Sequence, residues 1–207
     1  MTETVSLVIS IIALILSTVT TWLTLFRRGT VKMTQPTVIF FGHDSSRTAS
    51  PRTASPKIFL RSLLFSTSQR GRVIESMYVT LLHNNVLHAF NIWVYGDDKL
   101  SRGSGLFIGE TGVAANHHFL ISAESSQFRF SEGEYQLEVF VRLYGARKQR
   151  LLFAYTLSIS SEQAKQLSDT DTGLYFDWMP NQAQYLPKID KRVIPPSSEE
   201  FLKHLLS

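Results

Sequence analysis

Apolar and polar residues follow one period at the start of this chain and another through the rest of it. From Val5 to Phe26 the sequence reads VSLVISIIALILSTVTTWLTLF without a charged residue. A helix crosses the ~30 Å hydrocarbon core in about 20 apolar residues, so the pattern predicts one membrane-spanning helix. After Pro36 the period becomes two-fold. Tyr135, Leu137, Val139, Val141 and Leu143 fall on one face of Glu134–Tyr144, and Gln136, Glu138, Phe140, Arg142 and Tyr144 on the other. That is the signature of a half-buried strand. Leu151–Ser160 repeats it, with Leu151, Phe153, Tyr155, Leu157 and Ile159 inward, and Gly145-Ala146-Arg147-Lys148 suits a hairpin link. Further strands are predicted at Thr37–Phe41, Lys57–Phe65, Arg72–Leu82, Ala89–Tyr95 and Val113–Ile121. Turn-rich pieces such as Asn84-Asn85, Gly96-Asp97-Asp98, Gly103-Ser104-Gly105 and Gly109–Gly112 separate them.

Seven or more short strands at this spacing point to a mainly β fold, an antiparallel immunoglobulin-like β-sandwich behind the helix. The segment Ser131–Leu137 resembles the start of strand F in that fold, where a tyrosine two residues before a core residue forms the tyrosine corner. Tyr135 and Leu137 occupy those places. Ser160-Ser161-Glu162-Gln163 and Ser197-Ser198-Glu199-Glu200 read as capping boxes of two short helices. The second helix puts Phe201, Leu202, Leu205 and Leu206 on one side. Leu174–Met179 and Tyr185-Leu186 are aromatic but show neither period, so an arm lying along the domain is expected there. The division is a transmembrane anchor at 1–28, a juxtamembrane linker at 29–36, the β-domain at 37–168, and the arm with the final helix at 169–207.

Charge sets the expected orientation. Glu3 precedes the span, while Arg27, Arg28 and Lys32 follow it. By the positive-inside rule the amino terminus lies outside and the domain in the cytoplasm, at the inner (plasma) membrane. A cleaved secretory signal needs a basic start and an apolar core of about 7–15 residues. The acidic start and longer core here favour a retained signal-anchor. The chain has 21 Lys and Arg against 17 Asp and Glu, and no cysteine. That excludes a disulfide framework and thiol-based zinc chemistry. No arginine-rich stripe points to nucleic acid.

Candidate sites are few. Ser6, Ser10, Ala13, Ser17, Thr20 and Thr24 recur every three or four residues and share one helix face. Such a stripe of small residues suits helix–helix packing in lipid and a homo-oligomer, although the hydroxyls also suit bonds to their own helix backbone. Arg27, Arg28 and Lys32, with Arg70, Arg72 and Arg102 in or beside glycine-bearing turns, are candidate contacts to anions or lipid headgroups. Tyr175, Phe176, Trp178, Phe201 and Leu205 are candidates for a surface that meets a protein partner. His117 and His118 are adjacent, so on a strand they point to opposite faces and cannot share a metal. His83 and His88 flank a turn without an obvious third ligand, and zinc takes three or four. No catalytic residue, metal or cofactor is expected. The chain reads as a membrane-tethered protein-interaction module. Two alternatives are a membrane-anchored hydrolase using His83, His88, His117 and His118, and a domain of reversed topology facing the envelope. The tandem Arg47-Thr48-Ala49-Ser50-Pro51 and Arg52-Thr53-Ala54-Ser55-Pro56 reads as a duplication in a surface loop.

Through Arg70–Val79 and Phe90–Gly96 the chain resembles bacterial single-pass membrane proteins with a small β-domain. That group has no assigned activity, so the resemblance implies location and fold and transfers no functional residue.

Overall fold

The uncharged segment is helical. Helix α1 spans Thr2–Thr21 and runs into a π-helical turn at Trp22–Phe26, where the Trp22 and Phe26 rings stack at 5.5 Å. Its apolar side chains are exposed all round, and Thr2–Thr24 is long and apolar enough to cross a membrane. The computed structural model describes residues 2–26, 29–44, 55–95, 100–102, 105–121 and 128–191. Arg27, Arg28, most of the tandem repeat, the final helix with its capping box, Phe201 and Leu205 lie outside the described residues.

The rest is mainly β and antiparallel. The strands are β1 (Val31–Met33), β2 (Val38–Asp44), β3 (Ser55–Ser66), β4 (Arg72–His83), β5 (Val86–Tyr95), β6 (Leu100–Arg102), β7 (Leu106–Ile108), β8 (Val113–Ile121), β9 (Gly133–Leu143), β10 (Arg150–Ile159), β11 (Thr172–Met179) and β12 (Gln184–Lys191). Short helix α2 (Ser161–Leu167) joins β10 to β11. Its Ser160 side chain accepts from the Gln163 N–H while Gln163 Oε1 accepts from the Ser160 N–H, the reciprocal cap expected from the sequence.

The two separate sheets of an immunoglobulin-like sandwich are not seen among the described residues. The strands form one sheet in the order β10-β9-β4-β5-β8-β3-β2-β11-β12, with β1 on β3, β6 on β5 and β7 on β4, curled nearly into a barrel. Its two ends meet through rings. Tyr155 of β10 lies 4.8 Å from Tyr185 of β12 and 6.3 Å from Trp178 of β11. The curl gives the strands an inside, filled by Ile39, Phe41, Ile58, Leu60, Val79, Leu81, Phe119, Leu137, Val139, Leu174 and Phe176.

Alternation decides most faces as expected. All five inward residues of β9 are buried. In β10 the inward register fails at Leu151, which pairs with the outward Phe140, while Phe153 pairs with the inward Val139. A bulge between them turns Leu151 to the surface, where it is 48 % exposed. The expected arm is a hairpin in the sheet, β11 pairing with β2 and β12. Its alternation is hidden because both faces carry rings: Phe176 packs inward on Phe41, and Tyr175 packs outward on Phe40 at 4.9 Å. The expected linker at 29–36 also belongs to the sheet. Val31 is buried, and β1 and β2 lie along the same side of β3, interrupted at Pro36. Proline has no N–H to donate to a ladder, which explains the break.

Candidate functional site

The chain joins the sheet soon after the helix in sequence. Only residues 27–30 separate the π-helical turn from β1. The Thr30 N–H donates to Thr67 Oγ1 and the Thr67 N–H donates to the Thr30 carbonyl, both at 2.9 Å. Gly29 lies so close to Ser68 that a Cβ there would meet the Ser68 Cβ at 2.5 Å. Gly29 and Thr30 are thus stitched to the β3–β4 turn.

Along α1 the small-residue stripe is exposed, and several of its hydroxyls are already engaged. Ser10 Oγ donates to the Ser6 carbonyl, Thr20 Oγ1 to Leu16 and Thr24 Oγ1 to Thr20, at 2.7–2.9 Å. Bonds of this kind lower the cost of a hydroxyl in lipid and leave the small-residue face smooth.

The candidate cations divide. Lys32 is exposed on β1 and Arg70 is exposed on the β3–β4 turn. Arg102 lies in β6 opposite Trp93. Arg72, half-buried at the start of β4, gains neighbours that the sequence reading did not single out. The β9–β10 turn brings Arg147, Lys148 and Arg150 to it across a shallow basin of about 690 Å³, also lined by Gly29 and Thr30. The turn is shaped by Gly145 at φ +76° and pinned by Tyr144 N–H to the Val73 carbonyl and Ala146 N–H to the Leu143 carbonyl, each at 2.9 Å. Tyr78 also donates its hydroxyl to Gln149. The closeness of Arg147, Lys148 and Arg150 in sequence was the available signal. Their meeting with Arg72 is a product of the β4–β9 pairing.

The candidate partner residues of the hairpin separate by depth. Phe176 is core at 2 % exposure, while Tyr175 and Trp178 are half-buried. Sequence reasoning missed the tip of the β4–β5 hairpin. There Leu82 pairs with Leu87 across the strands, and both are exposed, as is Val86. The positive φ angles of Asn84 and Asn85, 48° and 61°, make this a two-residue turn.

The described histidines sit in strands and are engaged in different ways. His83 stacks on Tyr135 with ring centroids 4.1 Å apart. Its Nδ1–H donates to the Glu134 carbonyl at 2.9 Å, so its Nε2 accepts from Ser131 Oγ at 2.8 Å and Asn84 Nδ2 at 3.0 Å. The Tyr135 hydroxyl donates to the Ser131 carbonyl at 2.9 Å and accepts from the Ser131 N–H at 2.8 Å. A tyrosine corner is therefore present within a single curled sheet, and burial pushes the Tyr135 hydroxyl pKa up. His117 pairs with Leu60 and His118 with Phe59, on opposite faces. Burial holds the His117, His88 and His43 pKa values below the ordinary range, and burial beside Lys57 takes His118 down to about 4. Among the described residues no three His, Cys, Asp or Glu side chains gather in a way that holds a metal.

No protein-family model matches the chain, and no curated protein matches it either, so the reading of its function rests on its own residues.

Proposed function

We propose that this chain is a membrane-tethered interaction module: α1 anchors it, the sheet domain lies against the cytoplasmic surface, and a protein partner binds the domain. The observation that carries this reading is the exposed, span-length helix ending at Phe26, three positions before a segment, Gly29–Val31, that is already bound to the sheet. Arg27, Arg28 and Lys32 favour the cytoplasmic side. Confinement to a surface raises local concentration, so modest contacts suffice for binding. The partner surface is the β4–β5 tip. It lies about 35 Å along β4 from Arg72 and so points away from the bilayer, and it exposes Leu82, Val86 and Leu87. A photo-crosslinking amino acid at Leu87 in the full chain tests this. One discrete protein adduct that disappears in Leu82→Glu is expected. Absence of an adduct, or one indifferent to Leu82→Glu, overturns the assignment.

A hydrolase reading has one observation in its favour, Ser131 Oγ placed 2.8 Å from His83 Nε2 with His83 Nδ1–H held by a carbonyl. This is the spacing of a nucleophile and its base. Labelling of Ser131 by a fluorophosphonate, lost in His83→Gln, would establish it. An unlabelled Ser131 rejects it.

A further inference from the structure

We infer that the basin formed by Arg72, Arg147, Lys148 and Arg150 is a site for the phosphate headgroups of anionic lipids in the membrane that holds α1. The inference rests on the anchored reading above and deepens it by naming a ligand class. Four cations line the basin without a carboxylate among its lining residues. Among the described residues the ion pairs are Lys57–Asp44 and Arg142–Glu75, so none of the four is paired with a described carboxylate. Glu110, on the neighbouring β7–β8 turn, does not line the basin. Like charges gathered on an ordered turn repel one another, and a bound phosphate removes that repulsion while accepting forked bonds from guanidinium groups.

Position identifies the source of the phosphate. Gly29 and Thr30 form part of the basin wall and lie within four residues of Phe26, where the helical segment ends, so chain length alone keeps the basin near the bilayer. In the sequence Arg27 and Arg28 immediately precede them. The four basin cations by themselves reach the lower bound of a polybasic, lipid-binding cluster of about 4–8 residues. A second, independent feature lies at the same end. Val73 and Phe107 form an exposed cross-strand pair, and Tyr144 is 74 % exposed beside them. Exposed rings mixed with cations are the composition of a surface that rests in the headgroup layer. A soluble phosphate would need the cations alone and would leave the exposed rings unexplained.

The test uses the full chain in bilayers of equal phosphatidylglycerol and phosphatidylcholine, released into native mass spectrometry so that the retained lipids are counted. Each basic residue near an anionic surface is worth ~1 kcal/mol, or about a fivefold preference. The wild-type chain is expected to retain phosphatidylglycerol several-fold over phosphatidylcholine. Arg147→Gln/Lys148→Gln/Arg150→Gln should lose that preference. Lys165→Gln/Lys188→Gln/Lys191→Gln, which removes equal charge elsewhere, should keep it. These residues are exposed, so near-ultraviolet circular dichroism should stay that of the wild type for both variants. Preference unchanged in the basin variant overturns the site and assigns the effect to the flank. Displacement of the lipid by millimolar inorganic phosphate overturns the lipid as ligand. Failure of the chain to float with vesicles of either composition overturns the anchor, and the lipid site with it.

Discussion

The Tyr185 hydroxyl donates a 2.7 Å hydrogen bond to the carbonyl of Pro36, tying the last described strand to the break between the first two. The same oxygen accepts from Gln35 Nε2 at 2.9 Å. Its ring is buried against Tyr155 and Trp178, where the ends of the sheet meet. Burial pushes its pKa far up, so it is a neutral donor at any physiological pH. Tyr185→Phe keeps the ring and removes the donor. Unfolding of the full chain in detergent should then show a loss of about 1–2 kcal/mol. A loss below measurement would mean that ring packing alone closes the sheet.

Lys57 is nearly buried and meets Asp44 at 2.9 Å. Asp44→Ala leaves an ammonium group in the interior without its partner and should cost about 3 kcal/mol. Adding Lys57→Met to that variant removes the stranded charge and should recover most of the loss. Equal stability of the single and double variants in denaturant titrations would rule out the pair as the cause.

Stability should fall with acid. His118 has a folded pKa of about 4 against an ordinary 6.5, and His117, His88 and His43 are shifted the same way. A base with a depressed folded pKa binds its proton more readily in the unfolded chain. Stability is therefore full above about pH 6.5 and is lost as pH falls from there toward 4, His118 alone giving about 2 kcal/mol by pH 5. Urea midpoints between pH 7.5 and 5 should drop, and less steeply in His118→Gln. Equal slopes in the two proteins would show that His118 does not carry the effect.

Gly29 tests the junction. Any side chain there collides with Ser68, including its backbone nitrogen at 2.6 Å. Gly29→Val must push the chain at Gly29–Thr30 away from the β3–β4 turn and should cost about 1–3 kcal/mol. Hydrogen exchange at the Thr30 and Thr67 amides should accelerate in this variant. Unchanged exchange would mean that the stitch is not held by that contact.

Much of the fold was legible where one face of a strand is wetter than the other, as in β9, whose buried residues alternate with more exposed ones. β8 runs Val113–Ile121 as the pattern predicts, and Tyr135 makes its corner. Legibility failed where that contrast was missing. The β11–β12 hairpin buries Leu174 and Phe176 on one face but packs Tyr175 against Phe40 and Phe59 on the other, so no alternation reaches the sequence. β6 and β7 are three-residue strands, too short to show a period. The choice between two sheets and one curled sheet depends on which strands pair over long separations. Alternation fixes faces and says nothing of neighbours. For the same reason Arg72 could be weighed from the sequence as a turn arginine, but its place beside Arg147 and Arg150 could not.

The most direct test of the anchored account is alkaline carbonate extraction combined with protease protection, on cells making the full chain with a tag after Ser207. The account predicts that the intact chain stays in the membrane pellet after the alkaline wash, and that protease reaches the domain only once the membrane is opened. Release of the intact chain into the wash, or digestion of the domain in unopened cells, would contradict it.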